Sequence, residues 1–219
     1  MSLKKKVSIA VIRRLPRYYR YLSDLLGMDI ARISSKELSA RMNITASQIR
    51  QDLNCFGGFG QQGYGYNVES LYKEIGNIMG VNDKFRTIII GAGNMGQALA
   101  HYGNFRKRGF DIIGIFDIAP NLIGKKINKM EVLHIDGLED FIEKNRVDIA
   151  ILTIPYDQTR EVAERAAQAG VKGLWNFSPM DLKLHYDTVI ENVHLSDSLM
   201  VLGYKIKEKY DNKSEQQQP

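Results

Sequence analysis

The sequence predicts an α/β chain in two parts: a small helical unit that ends in a β-ribbon, then a doubly wound parallel sheet closed by one more helix. Three observations predict it. The stretch TIIIGAGNMG joins a β-branched apolar run to Gly91-x-Gly93-x-x-Gly96 and a helix-like segment. From Arg86 onward strand and helix patterns alternate, the signature of a mostly parallel sheet covered on both faces. Ahead of it lie two capped helical segments and a run of glycines and aromatics.

Composition sets the outer bounds. A chain of 219 residues, 44% hydrophobic and 25% charged, can bury the core of one large or two small globular domains. Residues 1–84 hold 13 Lys/Arg against 7 Asp/Glu, a net of +6, and residues 85–219 hold 17 against 18, a net of −1. The positive charge therefore belongs to the front, as expected where one part of a protein meets a polyanion. Cys55 is the only cysteine, which excludes an intrachain disulfide and suits a reducing compartment. The opening MSLKKKVSIAVIRR has too short an apolar run for a signal peptide or a membrane span, so a cytoplasmic protein is expected.

In the front part, Val11, Leu15, Tyr18, Leu22 and Leu25 mark one face of an amphipathic helix, and Pro16 predicts a kink or a helix start. Lys4 to Lys6, Arg13, Arg14, Arg17 and Arg20 make a basic arm and face. Ser34-x-x-Glu37 and Thr45-x-x-Gln48 read as capping boxes opening two short helices, joined by a tight turn at Asn43 and Ile44. On the second helix Ser47, Arg50, Gln51 and Asn54 share one side, with Gln48 flanking them. Arginine and glutamine suit guanine and adenine edges in a major groove. FGGFGQQGYGYN then reads as a glycine-turned ribbon. Helix, helix–turn–helix and ribbon is the order of a winged-helix DNA-binding domain. Its expected contacts are Arg13, Arg14, Arg17, Ser47, Gln48, Arg50, Gln51, Asn54, Gln61 and Tyr64, within a helix-turn-helix region of about Pro16–Cys55. A further amphipathic helix from Val68 to Met79, closed by Gly80, ends this domain (1–80), and 81–85 is a linker.

The back part is read as a Rossmann domain (86–194). Strands are expected at 86–90, 110–116, 131–134, 148–154, 172–176 and 188–193, with helices at 94–107, 137–145 and 157–169. Asp117 ends the second strand, 21 residues after Gly96. With the glycine motif between strand and helix, this spacing is that of a dinucleotide site. The expected ligand contacts are Gly91, Ala92, Gly93, Asn94, Met95, Gly96, Asp117, Ile118, Thr153 and Pro155. The Asp117 carboxylate would accept the ribose hydroxyls and repel a 2′-phosphate, so the cofactor is NAD(H), not NADP(H). His101, His134, His185 and His194 fall in no catalytic motif, and no metal-ligand spacing occurs, so neither catalytic nor metal residues are assigned. Residues 195–210 read as a helix with Leu195, Leu199, Leu202 and Ile206 on one face, followed by a polar, disordered tail (211–219).

With IRQDLNCFGGFGQQGYGYNV, IIIGAGNMGQALA, ILTIP and GVKGLWNFSPM in one chain, residues 7 to 210 resemble the Rex family of redox-sensing transcriptional repressors. The resemblance implies a homodimer on an inverted-repeat DNA operator. NADH, preferred over NAD⁺ in the same pocket, would release it. It also implies that the C-terminal helix is exchanged between subunits and lies between the partner's two domains. Leu195 would then approach the partner's nicotinamide, and Tyr102 and Arg20 would belong to a polar switch. The chain differs from many members in carrying Gln61-Gln62 where they have a basic wing, and His194 where they have an aspartate. Two other readings are an NAD-dependent dehydrogenase with an accessory basic domain and a binder of another nucleotide, such as a CoA derivative.

Overall fold

A computed structural model describes residues 7–56, 60–61 and 64–215, without the side chains of 60, 61 and 212–215. The chain divides into two compact units, Met1–Asp83 and Lys84–Pro219.

In the first unit, α1 (Ile9–Ile12) is followed by α2 (Leu15–Leu26), whose first turn holds Pro16. A first-turn proline lacks an N–H that would have no helical partner anyway, so Pro16 starts a helix instead of kinking one. The strand β1 (Arg32–Ile33) precedes α3 (Ser35–Met42) and α4 (Ala46–Asn54). The ribbon strands β2 (Gly60–Gln61) and β3 (Gly65–Asn67) follow, then α5 (Val68–Ile78). The strands form an antiparallel sheet in the order β1-β3-β2. Ribbon residues 57–59 and 62–63 lie outside the described residues. Asn43 turns the chain between α3 and α4 by adopting φ 51°, which asparagine tolerates better than most residues. Tyr18, Leu22, Leu25, Leu38, Met42, Ile49, Leu53, Leu71 and Ile75 form the core.

The two caps differ. Ser34 and Glu37 satisfy each other's backbone N–H reciprocally, at 3.1 and 2.8 Å. Thr45 accepts from the Gln48 N–H at 3.2 Å, but the Gln48 side chain donates to Asp52 at 2.8 Å. The expected second box is therefore half a box: the Gln48 side chain, whose Oε1 would accept from the Thr45 N–H, is placed instead to donate its Nε2 to the buried Asp52 carboxylate.

The second unit runs β4 (Phe85–Ile90), α6 (Asn94–Ala100), α7 (Asn104–Lys107), β5 (Phe110–Asp117), β6 (Lys126–Ile127) and β7 (Met130–His134). A 3₁₀ turn (Ile135–Gly137) leads to α8 (Leu138–Asn145), β8 (Ile149–Leu152), α9 (Tyr156–Gln168), β9 (Gly173–Asn176), β10 (Val189–Asn192) and α10 (Leu195–Glu215). The sheet order is β10-β9-β8-β4-β5-β7-β6, parallel except where β6 meets β7. Leaving β6 aside, this is the 3-2-1-4-5-6 order of a Rossmann sheet, with its switch point between β4 and β8. One face packs under α8 and α9 through Ile88, Ile90, Phe116, Leu138, Ile142, Leu152 and Ala163. The other packs Ile89, Ile115, Val132 and Ile151 near α6.

Three expectations change. The helix expected over 94–107 breaks at His101–Gly103, where glycine weakens a helix interior by about 1 kcal/mol. The strand β6 was not foreseen, since two residues carry no periodicity; Asn128 and Lys129, at φ 46° and 69°, turn it back into β7. The tail expected to be disordered from 211 is helical to Glu215, because a formed helix extends at small cost while no proline or glycine intervenes. Residues 216–219 lie outside the described residues.

Candidate functional site

The carboxyl ends of β4 and β8 meet at the glycine loop. Gly91 stands at φ 103°, and a Cβ there would fall 2.5 Å from the Thr153 carbonyl oxygen. A Cβ on Gly96 would lie 1.9 Å from the Gly91 carbonyl, so the start of α6 can approach the strand only with glycine there. Gly93 is different: a Cβ would meet nothing within 4 Å. It opens on a cleft of about 330 Å³ shared with Gly91, Asp117, Ile118, Thr153 and Pro155. The free space at Gly93 and the carboxylate across from it fit a pyrophosphate and a ribose.

Asp117 has a second task. Its two carboxylate oxygens accept from the backbone N–H of Ala92 at 2.5 Å and of Ala119 at 2.8 Å. It thus holds the glycine loop against the turn that follows β5. The Thr153 hydroxyl lies 2.8 Å from the Gly91 carbonyl and 3.1 Å from that of Ile90, so its proton closes the loop and only its lone pairs face the cleft. Ala92 is buried, while Asn94 and Met95 form the first turn of α6. Ile135, Ile154 and Gln158 also line the cleft; no spacing in the sequence marks them. Tyr102 lies elsewhere, on a second cleft with Asn128, its ring edge on Phe105 at 4.8 Å. None of the four histidines lines the glycine-loop cleft, and no group of three metal-binding side chains occurs among the described residues.

A buried polar chain connects the cleft side of α9 to the base of α10. Thr159 lies 2.6 Å from the Ser178 hydroxyl, and the Asn176 amide donates to Asn192 at 2.8 Å and to the Met180 carbonyl at 2.7 Å. Beside it His194 lies 2.9 Å from Asp181, whose hydrogen bond raises the imidazole above its ordinary pKa. The helix that follows is exposed along its described length, with Leu195, Leu199, Leu202 and Ile206 each at least half uncovered. The sheet face beneath β8–β10 opposite α8 and α9 is also open. It forms an apolar groove of about 340 Å³ lined by Phe105, Ile149, Ile151, Trp175 and Val189.

In the first unit, α4 turns Ile49, Asp52 and Leu53 inward and Ser47, Arg50, Gln51 and Asn54 outward. Arg50 is held by Ser35 at 3.0 Å, so it stands beside the α3 N-terminus. Arg14 and Arg17, expected to contact DNA, are both tied into the domain. Arg14 pairs with Asp52 at 2.6 and 2.7 Å, and Arg17 donates to the Met42 carbonyl. Arg13 and Tyr64 are exposed, and the Gln61 side chain lies outside the described residues. Asp52 is fully buried and also accepts from Tyr18 at 2.9 Å. Burial pushes its carboxyl up, but hydrogen bonds from Arg14, Gln48 and Tyr18 outweigh that and hold it below the usual carboxylate range.

Residues 6–54 match a family described as a putative DNA-binding protein N-terminus, and residues 82–180 one described as a CoA binding domain. The redox-sensing transcriptional repressor Rex of Thermoanaerobacter pseudethanolicus is 60% identical over 208 residues, 95% of this chain and 93% of that protein. A Rex-family repressor, RSP, solved in complex with β-NAD⁺ and operator DNA, is 56% identical over 97% of this chain and 98% of that one, with a TM-score of 0.89. RSP in complex with β-NADH is 54% identical over 96% and 99%, again with a TM-score of 0.89. Relatives of this length and likeness are regulators and not dehydrogenases, which disfavours the enzymatic alternative. The chain belongs to the Rex family of redox-sensing transcriptional repressors.

Proposed function

We propose that this repressor binds an inverted-repeat operator as a homodimer and is released when NADH fills the glycine-loop cleft, so that it reads the NADH/NAD⁺ ratio. The observation that carries the ligand half is Gly93, where the chain leaves room beside the tight contacts of Gly91 and Gly96. The outward face of α4 supports the DNA half, and RSP has been solved with operator DNA, NAD⁺ and NADH. The Asp117 carboxylate favours NAD(H) over NADP(H) by repelling a 2′-phosphate. No helix among the described residues is long and apolar enough to cross a membrane, and a repressor acts where DNA is, in the cytoplasm.

The exposed apolar stripe of α10 and the uncovered groove beneath β8–β10 support association of two copies, with α10 exchanged between them. NAD⁺ and NADH share every adenosine and pyrophosphate contact and differ at the nicotinamide, which is cationic when oxidised. An apolar lining from the partner's Leu195 penalises the cation by desolvation and so favours NADH. Fluorescence anisotropy on labelled operator tests the reading: NADH should dissociate the complex at concentrations where NAD⁺ and NADPH do not. Equal effects of NADH and NAD⁺ would reject it.

A further inference from the structure

Gln48 is the one side chain of the α4 reading region that is hydrogen-bonded to a buried charge. Its Nε2 lies 2.8 Å from Asp52 Oδ1. Asp52 is fully buried and already takes two hydrogen bonds from Arg14 and one from Tyr18. An ionised carboxylate can only accept. Turning the Gln48 amide over would set its oxygen against a carboxylate oxygen inside the domain, exchanging a hydrogen bond for a repulsion. The amide therefore has one stable orientation.

That orientation has a consequence at the protein surface. Gln48 is half-buried at the start of α4, beside exposed Ser47 and Gln51. With one Nε2 hydrogen turned to Asp52, Gln48 presents a ligand with the Oε1 acceptor and one remaining amide hydrogen. A glutamine free to rotate could exchange the places of oxygen and nitrogen; this one cannot.

We propose that Asp52, without touching DNA, fixes Gln48 as a hydrogen-bond acceptor toward the operator, so that Gln48 reads a base carrying an exocyclic amine. Resting on the DNA-binding reading above, this deepens it by assigning one contact's polarity. In a major groove the amine belongs to adenine N6 or cytosine N4. The second amide hydrogen of Gln48 stays available, so a two-bond contact with adenine, accepting from N6 and donating to N7, remains open. A base edge of two acceptors, guanine O6 and N7, offers no donor to Oε1 and so no two-bond contact. Asp52 is thus a positioning residue, and Arg14 and Tyr18 act on the same carboxylate.

The test uses the full-length protein and an operator selected from a random duplex pool. Removing the amine base by base (adenine to purine, cytosine to 2-pyrimidinone) should weaken wild type about five- to tenfold at one position per half-site. Gln48→Ala should be insensitive to that same change, and Asp52→Asn should lose the sensitivity although residue 52 is buried. Tyr18→Phe removes a different hydrogen bond to Asp52, so it should lower stability and leave the sensitivity intact. Should Asp52→Asn not fold, the pairing of Gln48→Ala with the amine deletions still decides whether Gln48 reads an amine, without which Asp52 has no polarity to set. If no amine deletion couples to Gln48, the proposal is overturned while operator binding stands. If Asp52→Asn folds and keeps the wild-type sensitivity, Asp52 does not set the polarity. Equal binding of operator and random duplex by wild type would instead remove the DNA-binding reading, and the proposal with it.

Discussion

Arg14 and Asp52, 38 positions apart, form a two-bond ion pair that joins the start of α2 to the last turn of α4. A basic residue counted in the sequence as part of a DNA-facing surface is thus engaged in holding α4. Arg14→Ala should destabilise the first unit by about 1–3 kcal/mol, since it leaves a buried carboxylate short of its strongest donor. Urea denaturation followed by circular dichroism measures this. The pH dependence has a definite sign. Asp52 is held below its ordinary pKa in the fold, so its contribution is complete above the unfolded value of about 3.9 and is lost as pH falls through the folded value. Wild type should therefore lose stability on acidification below pH about 4 more steeply than Arg14→Ala.

Gly93 and Gly96 stand in one motif but should answer substitution differently. Gly96→Ala drives a Cβ into the Gly91 carbonyl and should cost about 1–3 kcal/mol of stability or more. Gly93→Ala has room in the free protein, so its melting temperature should stay close to wild type. Its NADH affinity should fall at least about tenfold, equivalent to 1.4 kcal/mol, because the methyl would occupy the space proposed for the pyrophosphate. Calorimetric titration with unchanged NADH affinity would move the ligand away from Gly93.

Asp117→Ala removes the staple between Ala92 and Ala119 and, with it, the proposed ribose acceptor. NADH binding should weaken by about 1.5–3 kcal/mol, the range for hydrogen bonds to a charged group. The gap between NADH and NADPH should narrow, because the repulsion of a 2′-phosphate is gone. Wild type binding NADPH as tightly as NADH would contradict the role given to this carboxylate.

Ending the chain at His194 removes α10 and its exposed Leu195, Leu199, Leu202 and Ile206. Light scattering should then show a monomer, and operator binding, where it persists, should no longer respond to NADH. A truncated chain that stays dimeric and responds fully would place both the interface and the nicotinamide lining elsewhere.

Much of this was legible in the sequence because it rests on local rules. Gly91, Gly93 and Gly96 between an apolar strand and a helix, with Asp117 at the next strand end, announce the sheet and its cleft. The outward side of α4 follows from helical spacing alone. Most of what was not legible depends on partners distant in the chain. Nothing near Arg14 says that it will meet Asp52. Gln48 and Asp52 stand only four positions apart, but that spacing does not say whether the side chain will serve Asp52 or the Thr45 N–H. Thr153 lends its hydroxyl to Gly91, and Gln158 lines the cleft, only once β4 and β8 lie side by side. The two-residue strands β1 and β6 are set by pairing and carry no periodic pattern of their own.

Redox sensing needs the NADH site and the DNA site to be coupled, and coupling is reciprocal. A hundredfold loss of operator affinity caused by NADH corresponds to about 2.7 kcal/mol, and operator DNA must weaken NADH by the same factor. The most direct measurement is a titration of NADH fluorescence on the full-length protein, with and without saturating operator. The NADH dissociation constant should rise by the factor by which NADH lowers operator affinity in the reverse experiment. An NADH dissociation constant unchanged by operator DNA would show that the two sites are independent, and the chain would not be a redox sensor.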